Sequence, residues 1–105
     1  MEKCGYVYTL LCENETYYCG WSAKENIQTR ICSHFLGAGS KWTQLNKPID
    51  IIDVKVGDLT LENLTTLTLM CKFGFAKVRG GNYTNVEMNE PAALKKARHY
   101  ATYYK

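Results

Sequence analysis

A chain of 105 residues has material for one hydrophobic core and not for two. With 46% apolar and 22% charged residues it has the composition of a folded globular protein, which excludes a disordered tail. The net charge of +3 is mild and its surplus lies after Gly57, where seven Lys/Arg face four Asp/Glu; this permits an anionic polymer as partner without requiring one.

The five cysteines, Cys4, Cys12, Cys19, Cys32 and Cys71, are odd in number and include no C-x-x-C pair. With no secretory leader and no run of membrane-spanning length in view, the expected setting is a reducing intracellular compartment, cytoplasm or nucleus, with no membrane contact. The N-x-T triplets at Asn14, Asn63 and Asn82 are then coincidental. Cys32, His34 and Cys71 can be drawn together as zinc ligands, but they lack the close pairing that structural zinc sites use.

In chain order, residues 6–12 and 16–21 are rich in Tyr, Val, Leu and Thr around the polar run Glu13-Asn14-Glu15, which reads as a β-hairpin. Ser22 and Glu25 have the spacing of a capping box and Gly37 supplies a stop, so a helix of about 13 residues is expected between them. Ile27, Ile31 and Phe35 form its apolar stripe. Residues 37–47 read as a loop or short irregular helix ending at Pro48, and the Ile/Val-rich residues 49–56 as a third strand. Asp58 or Thr60 caps the next helix, whose expected core face is Leu61, Leu64, Leu67, Thr68 and Cys71 and whose end is Gly74. Residues 78–83 read as a tight basic turn. Pro91 opens a last helix with Leu94, Ala97, Ala101 and Tyr104 on one face and Lys95, Arg98 and Lys105 beside it. The order β-β-α-β-α-α predicts one α+β domain over residues 1–105: a small three-stranded antiparallel sheet flanked by helices, with a basic C-terminal helix at 91–105.

Alternation along the hairpin can bring the phenols of Tyr8 and Tyr18 to one place. A tyrosine-rich hairpin needs no function by itself. The helix that follows adds Arg30 and His34, four residues apart and so on one face. A fixed guanidinium offers forked donors to phosphate oxygens, and an imidazole exchanges a proton near neutral pH.

At these residues the sequence resembles the GIY-YIG nuclease superfamily, in its free-standing and often viral form. Tyr6-Val7-Tyr8 stands at the first signature, Tyr18-Cys19-Gly20 at the second, and Arg30-x-x-x-His34 matches the helix motif. Gly39-Ser40-Lys41-Trp42-Thr43, with Pro48 before a strand, resembles the loop that follows, and Glu62 stands at the metal-binding glutamate. Phe73-Gly74 and Val78-Arg79-Gly80-Gly81 resemble later segments of free-standing members. Tyr6 in place of Gly and Cys19 in place of Ile depart from the signatures.

The resemblance implies a metal-dependent endonuclease acting on nucleic acid, with DNA the expected substrate. Glu62 would hold one Mg2+ or Mn2+ ion, Arg30 would stabilise charge on the phosphate, and Tyr8 or Tyr18 would activate water with His34 as base or relay. Lys41, Trp42, Arg79, Lys95 and Arg98 are the expected nucleic-acid contacts, and a partner protein could supply specificity. A viral form would place the protein in a virus-infected cell. The alternative is a catalytically inactive nucleic-acid-binding module of the same fold.

Overall fold

The computed structural model describes residues 4–103, with the side chains of residues 98 and 100–103 excepted. The N-terminal hairpin forms as expected from β1 (Gly5–Cys12) and β2 (Thr16–Ala23), antiparallel with Cys12 opposite Thr16 and Tyr8 opposite Gly20. A single 3₁₀ turn joins them, and Asn14 inside it has φ +64°, a left-handed conformation that Asn tolerates better than most residues. The Thr16 hydroxyl closes the turn by donating to the Glu13 carbonyl at 2.8 Å.

The sheet has four strands, not three, in the order β3-β1-β2-β4. β3 (Pro48–Gly57) pairs antiparallel with β1, and β4 (Val78–Gly80) runs parallel to β2. The expected basic turn is therefore a short strand followed by a tight reversal, in which Gly80 and Tyr83 exchange two backbone hydrogen bonds at 3.0 and 2.7 Å. Three residues are too few to show alternation, and their partner lies 61 positions away at Tyr17–Val78, so no local pattern announces the strand.

Two local expectations are corrected. Ser22 does not cap a helix: it is buried in β2 with its hydroxyl on the Ala23 carbonyl, 3.0 Å away. The chain passes through a 3₁₀ turn before α1 (Ile27–Phe35), which has nine residues. The stop is as read. Gly37 takes φ +83°, its N–H donates to the His34 carbonyl, and Ala38 N–H reaches Ser33, the paired bonds of a Schellman motif. Ile27, Ile31 and Phe35 pack on Tyr8, Leu10, Cys12, Tyr18 and Trp42. Ser40 then caps α2 (Lys41–Leu45) by accepting the Thr43 N–H at 3.2 Å.

Asp58 is the cap of α3 (Leu59–Phe73), its carboxylate accepting the Leu61 N–H at 3.0 Å, and Gly74 ends the helix. The buried face, however, is Thr65, Thr66 and Met70, while Leu64 is 59% exposed and Thr68 and Cys71 are exposed too. The helix sits tightly on the sheet: a Cβ at Gly80 would be 2.9 Å from the Thr66 hydroxyl. Small side chains fit there, and the Thr66 hydroxyl can be buried because it donates to the Glu62 carbonyl at 2.9 Å. Leu61, Leu64 and Leu69 line a groove of about 270 Å³ toward β3 instead. Leu94 of α4 (Ala92–Tyr103) joins Met70 and Val78 in a second cluster, whereas Ala97 is exposed. Tyr104 and Lys105, and the side chain of Ala101, lie outside the described residues.

Arg79 and Trp42 tie the end of the sheet to α2. Arg79 is 3% exposed and its guanidinium lies 4.7 Å over the Trp42 ring. It donates to the carbonyls of Asn85 at 2.7 Å, Val78 at 2.7 Å and Val86 at 2.9 Å, and to that of Phe75. Replacing it by Met keeps the stem and strands these carbonyls without donors. Arg79→Met is expected to cost about 3 kcal/mol, given that a bond to a charged group contributes roughly 1.5–3 kcal/mol. The exposed Lys95→Ala should stay within about 0.5 kcal/mol. Urea unfolding midpoints of both variants check this, and equal midpoints would contradict it.

Candidate active site

Tyr8 and Tyr18 share the α1 face of the sheet because Tyr8 lies opposite Gly20 and Leu10 opposite Tyr18 in the hairpin register. The glycine makes the space. A Cβ at position 20 would lie 2.4 Å from the phenol oxygen of Tyr8, so only Gly lets that ring lie flat across β2. The ring is fully buried and its oxygen is 2.8 Å from His34 Nε2. The Tyr18 ring centroid lies 4.8 Å from that of His34.

His34, 1% exposed, is held from its other side as well, with Nδ1 2.9 Å from the Thr43 hydroxyl. The loop before α2 closes over it: a Cβ at Gly39 would be 2.2 Å from Nδ1. Both ring nitrogens are thus engaged, and Cys32 and Cys71 are exposed free thiols, an arrangement that does not make the three a zinc site. Among the described residues no cluster of three His, Cys, Asp or Glu side chains is placed to hold a metal ion.

Arg30 stands one helical turn before His34, largely exposed, hydrogen-bonded to Tyr8 and within electrostatic reach of Tyr18 and Glu62. It lines two clefts. One, of about 220 Å³, is shared with Ser33, His34, Gly39 and Ser40; the other, of about 330 Å³, with Trp21, Ser22, Ala23 and Asn26.

Glu62 reaches the same place from the far side of the sheet. β4 covers β2 only at Tyr17, Tyr18 and Cys19, so the strand edge is open beyond Cys19. There the carboxylate of Glu62, in the first turn of α3, accepts the backbone N–H of Trp21. Residues from β1, β2, α1 and α3 therefore meet at one open end of the sheet.

Burial first, and then the nearby Arg30 cation, lower the pKa of His34 to about 4, so the imidazole is neutral at pH 7. Burial raises both phenols, which stay protonated. Glu62 is also raised by burial, against the opposing pull of the Trp21 N–H and Arg30.

Residues 4–64 match the GIY-YIG catalytic domain. The chain belongs to the GIY-YIG family. Among its relatives, a UPF0213 protein of Neisseria meningitidis is 46% identical over 43 residues, 41% of this chain and 45% of that protein. A UPF0213 protein of the archaeon Natronomonas pharaonis is 36% identical over 47 residues, 45% of this chain and 53% of its own. One of Syntrophus aciditrophicus is 35% identical over 54 residues, 50% and 60% respectively. The match spans about half the length of these relatives. They are bacterial and archaeal, which lends nothing to the viral form. No solved structure matches the chain significantly. No described helix is long and apolar enough to cross a membrane.

Within this GIY-YIG domain, then, Tyr8, Tyr18, Arg30, His34 and Glu62 are brought together. The expected nucleic-acid contacts are dispersed. Lys41 and Lys95 are exposed, the Arg98 side chain lies outside the described residues, and Trp42 and Arg79 are buried against each other. The Trp42 indole N–H is moreover spent on the Tyr17 carbonyl at 3.0 Å, so neither of this pair is free to meet a substrate. Thr43, Ser40, Gly39 and Gly20, noted in the sequence only as parts of the loop and second-signature motifs, also shape the site. The spacing Ser40-x-x-Thr43, that of a helix cap, is the local signal that could have drawn attention to the first two.

His34 makes stability depend on pH with a definite sign. Its folded pKa, about 4, lies below the ordinary 6.5, so the unfolded chain binds more protons between those values. Its contribution is complete above pH 6.5 and lost as the pH falls toward 4. Urea midpoints measured across this window should fall more steeply for the wild type than for His34→Gln; parallel curves would show that His34 is not buried neutral.

Proposed function

We propose that this domain is a metal-dependent endonuclease that hydrolyses phosphodiester bonds of nucleic acid, DNA first among them. The observation that supports it most is the convergence of two phenols, a guanidinium, a neutral imidazole and one carboxylate on an open end of the sheet.

The donor set fits a hard cation. A single carboxylate without neighbouring thiolates or free imidazoles suits Mg2+ or Mn2+, which complete their shells with water and phosphate oxygens, better than zinc. Glu62 would hold it; when bound, such an ion supplies Lewis-acid polarisation of the phosphate and stabilises the departing 3′ oxygen.

The chain's own residues do the rest. Arg30 lies between the two clefts, where it binds the phosphate and offsets charge growing on its oxygens. Lys would be a poorer substitute, being a point charge without the fork. Tyr8, or Tyr18 beside it, takes a proton from the attacking water. An unperturbed phenol has a pKa of about 10, and burial raises these further, so a standing phenolate is not the base. Tyr8 can act only by passing its own proton on as it takes one, and His34 Nε2 at 2.8 Å is where that proton goes. Lys41, Lys95 and Arg98 would contact backbone phosphates, which position a duplex without reading it. A partner protein would supply specificity. The free cysteines are consistent with work in a reducing compartment.

With Mg2+ or Mn2+ the purified chain should nick duplex or branched DNA, and chelation should stop it. Arg30→Ala and Glu62→Ala should each lower the rate by about 10²–10³-fold, the size of loss typical for removing one electrostatic stabiliser, with circular dichroism unchanged. Full activity in both would sink the assignment. Salt-dependent binding without any cleavage would identify the inactive binding module instead.

A further inference from the structure

A neutral imidazole with two partners carries its proton on one nitrogen and accepts on the other, and the partners decide which. At His34 they are the phenol of Tyr8 on Nε2 and the hydroxyl of Thr43 on Nδ1. Thr43 has one proton to give, and besides Nδ1 it has the Ser40 carbonyl within reach at 3.1 Å, an oxygen that can only accept, while the Ser40 hydroxyl, also at 3.1 Å, can itself donate to Thr43. The Thr43 N–H meanwhile donates to the Ser40 hydroxyl at 3.2 Å, which fixes the turn that aims the side chain. With its proton on the Ser40 carbonyl, Thr43 turns a lone pair toward the imidazole. In that arrangement Nδ1 carries the hydrogen, and Nε2 is bare toward Tyr8.

We infer that Thr43 is a positioning residue that locks His34 in the Nδ1–H tautomer, and thereby makes Nε2 the acceptor of the Tyr8 proton. The chain of donors runs one way, from the Tyr8 O–H to Nε2, from Nδ1–H to the Thr43 oxygen, and from the Thr43 hydroxyl to the Ser40 carbonyl. Tyr8 and Thr43, like His34, are buried, and the exposed Arg30, hydrogen-bonded to the Tyr8 oxygen, marks the side from which a substrate water would reach that phenol. Gly39 keeps the loop close enough for them, because any Cβ there would strike Nδ1.

The inference rests on the proposed hydrolysis for its consequence, though not for its geometry. As the water oxygen bonds to phosphorus, one water O–H bond breaks and its proton passes to the Tyr8 oxygen. The original Tyr8 proton moves to Nε2, leaving an imidazolium whose Nδ1–H still donates to Thr43. The bond from phosphorus to the 3′ oxygen breaks with its electron pair, that oxygen takes a proton from solvent water, and the imidazolium gives its proton back to solvent through the polar cleft that His34 lines. In the reverse tautomer Nε2–H would donate to Tyr8, and the phenol proton would have no exit.

The test is nitrogen-15 NMR of the imidazole rings in the intact chain, with His99→Gln to assign the two histidines. Wild type should show His34 protonated on Nδ1. Thr43→Val, which keeps the shape and removes the hydroxyl, should shift it toward Nε2–H, and Thr43→Ser should restore Nδ1–H. In the cleavage assay Thr43→Val should lower kcat by about tenfold or more, toward the scale of a lost proton-transfer partner, with KM little changed and Thr43→Ser recovering. A wild-type His34 protonated on Nε2, or a tautomer indifferent to Thr43→Val, overturns the inference. If Thr43→Val fails to fold, Thr43→Ala, which also lacks the hydroxyl, is read in its place against the wild type and Thr43→Ser. If the wild type never cleaves, the nuclease reading falls while the spectra still decide the tautomer.

Discussion

The space left by the missing side chain of Gly20 is the constraint on which the rest of the site depends. It lets the Tyr8 ring cross β2 and present its oxygen to His34. That bond seats α1 on the hairpin at one point, and Ile27, Ile31 and Phe35 then pack along the line it defines. Arg30 is carried into position by the same helix, one turn earlier. Any residue but glycine at position 20 would push out the ring and with it the contact that joins strand to helix. The requirement is one of volume and not of backbone conformation, since Gly20 has no positive φ.

A second constraint acts at the other end of the hairpin. Burying a guanidinium is costly unless its donors are satisfied, and Arg79 meets that condition through four carbonyls and the face of Trp42. The arrangement holds residues 85 and 86 to β4, and through Trp42 it steadies α2, the helix that carries Thr43. A cation and an indole that look in the sequence like equipment for nucleic acid are therefore part of the scaffold that supports the relay. Their chemistry suits both uses; burial decides between them.

What was legible in the sequence was local. The hairpin, the stripe of α1, the Asp58 cap and the glycine stops at Gly37 and Gly74 each follow from a few neighbouring residues, and the structure keeps them. Ser22 and Glu25 had the right spacing for a cap, but β2 continues to Ala23 because β1 pairs with it that far, and tertiary pairing outweighs a capping preference. α3 misled for a similar reason. Its leucines advertise a core face, yet of those expected only Leu67 packs on the core cluster, and with Gly80 close by it is Thr65 and Thr66, with Met70, that are buried against the sheet. At the site, Tyr8, Tyr18, Arg30 and His34 could be grouped from register and helical spacing, and Glu62 from resemblance. Thr43 and Gly39 could not, because their contact with His34 depends on a loop folding back over α1.

The resting electrostatics also bear on how the proposed hydrolysis would be confined to bound substrate. His34 is a weak base as it stands, chiefly through burial and secondly through the Arg30 cation. The second cause weakens when a phosphate arrives. A phosphodiester anion paired with Arg30 offsets the charge that opposes protonation of the imidazole, so the proton acceptor strengthens when there is a phosphate to attack. Tyr8 is affected in the opposite sense, since Arg30 favours its phenolate and loses part of that influence once paired. The two effects together favour a relay through a neutral phenol. A neutral Tyr8 gives its proton to a more basic His34 while taking one from water, and no free phenolate need ever form.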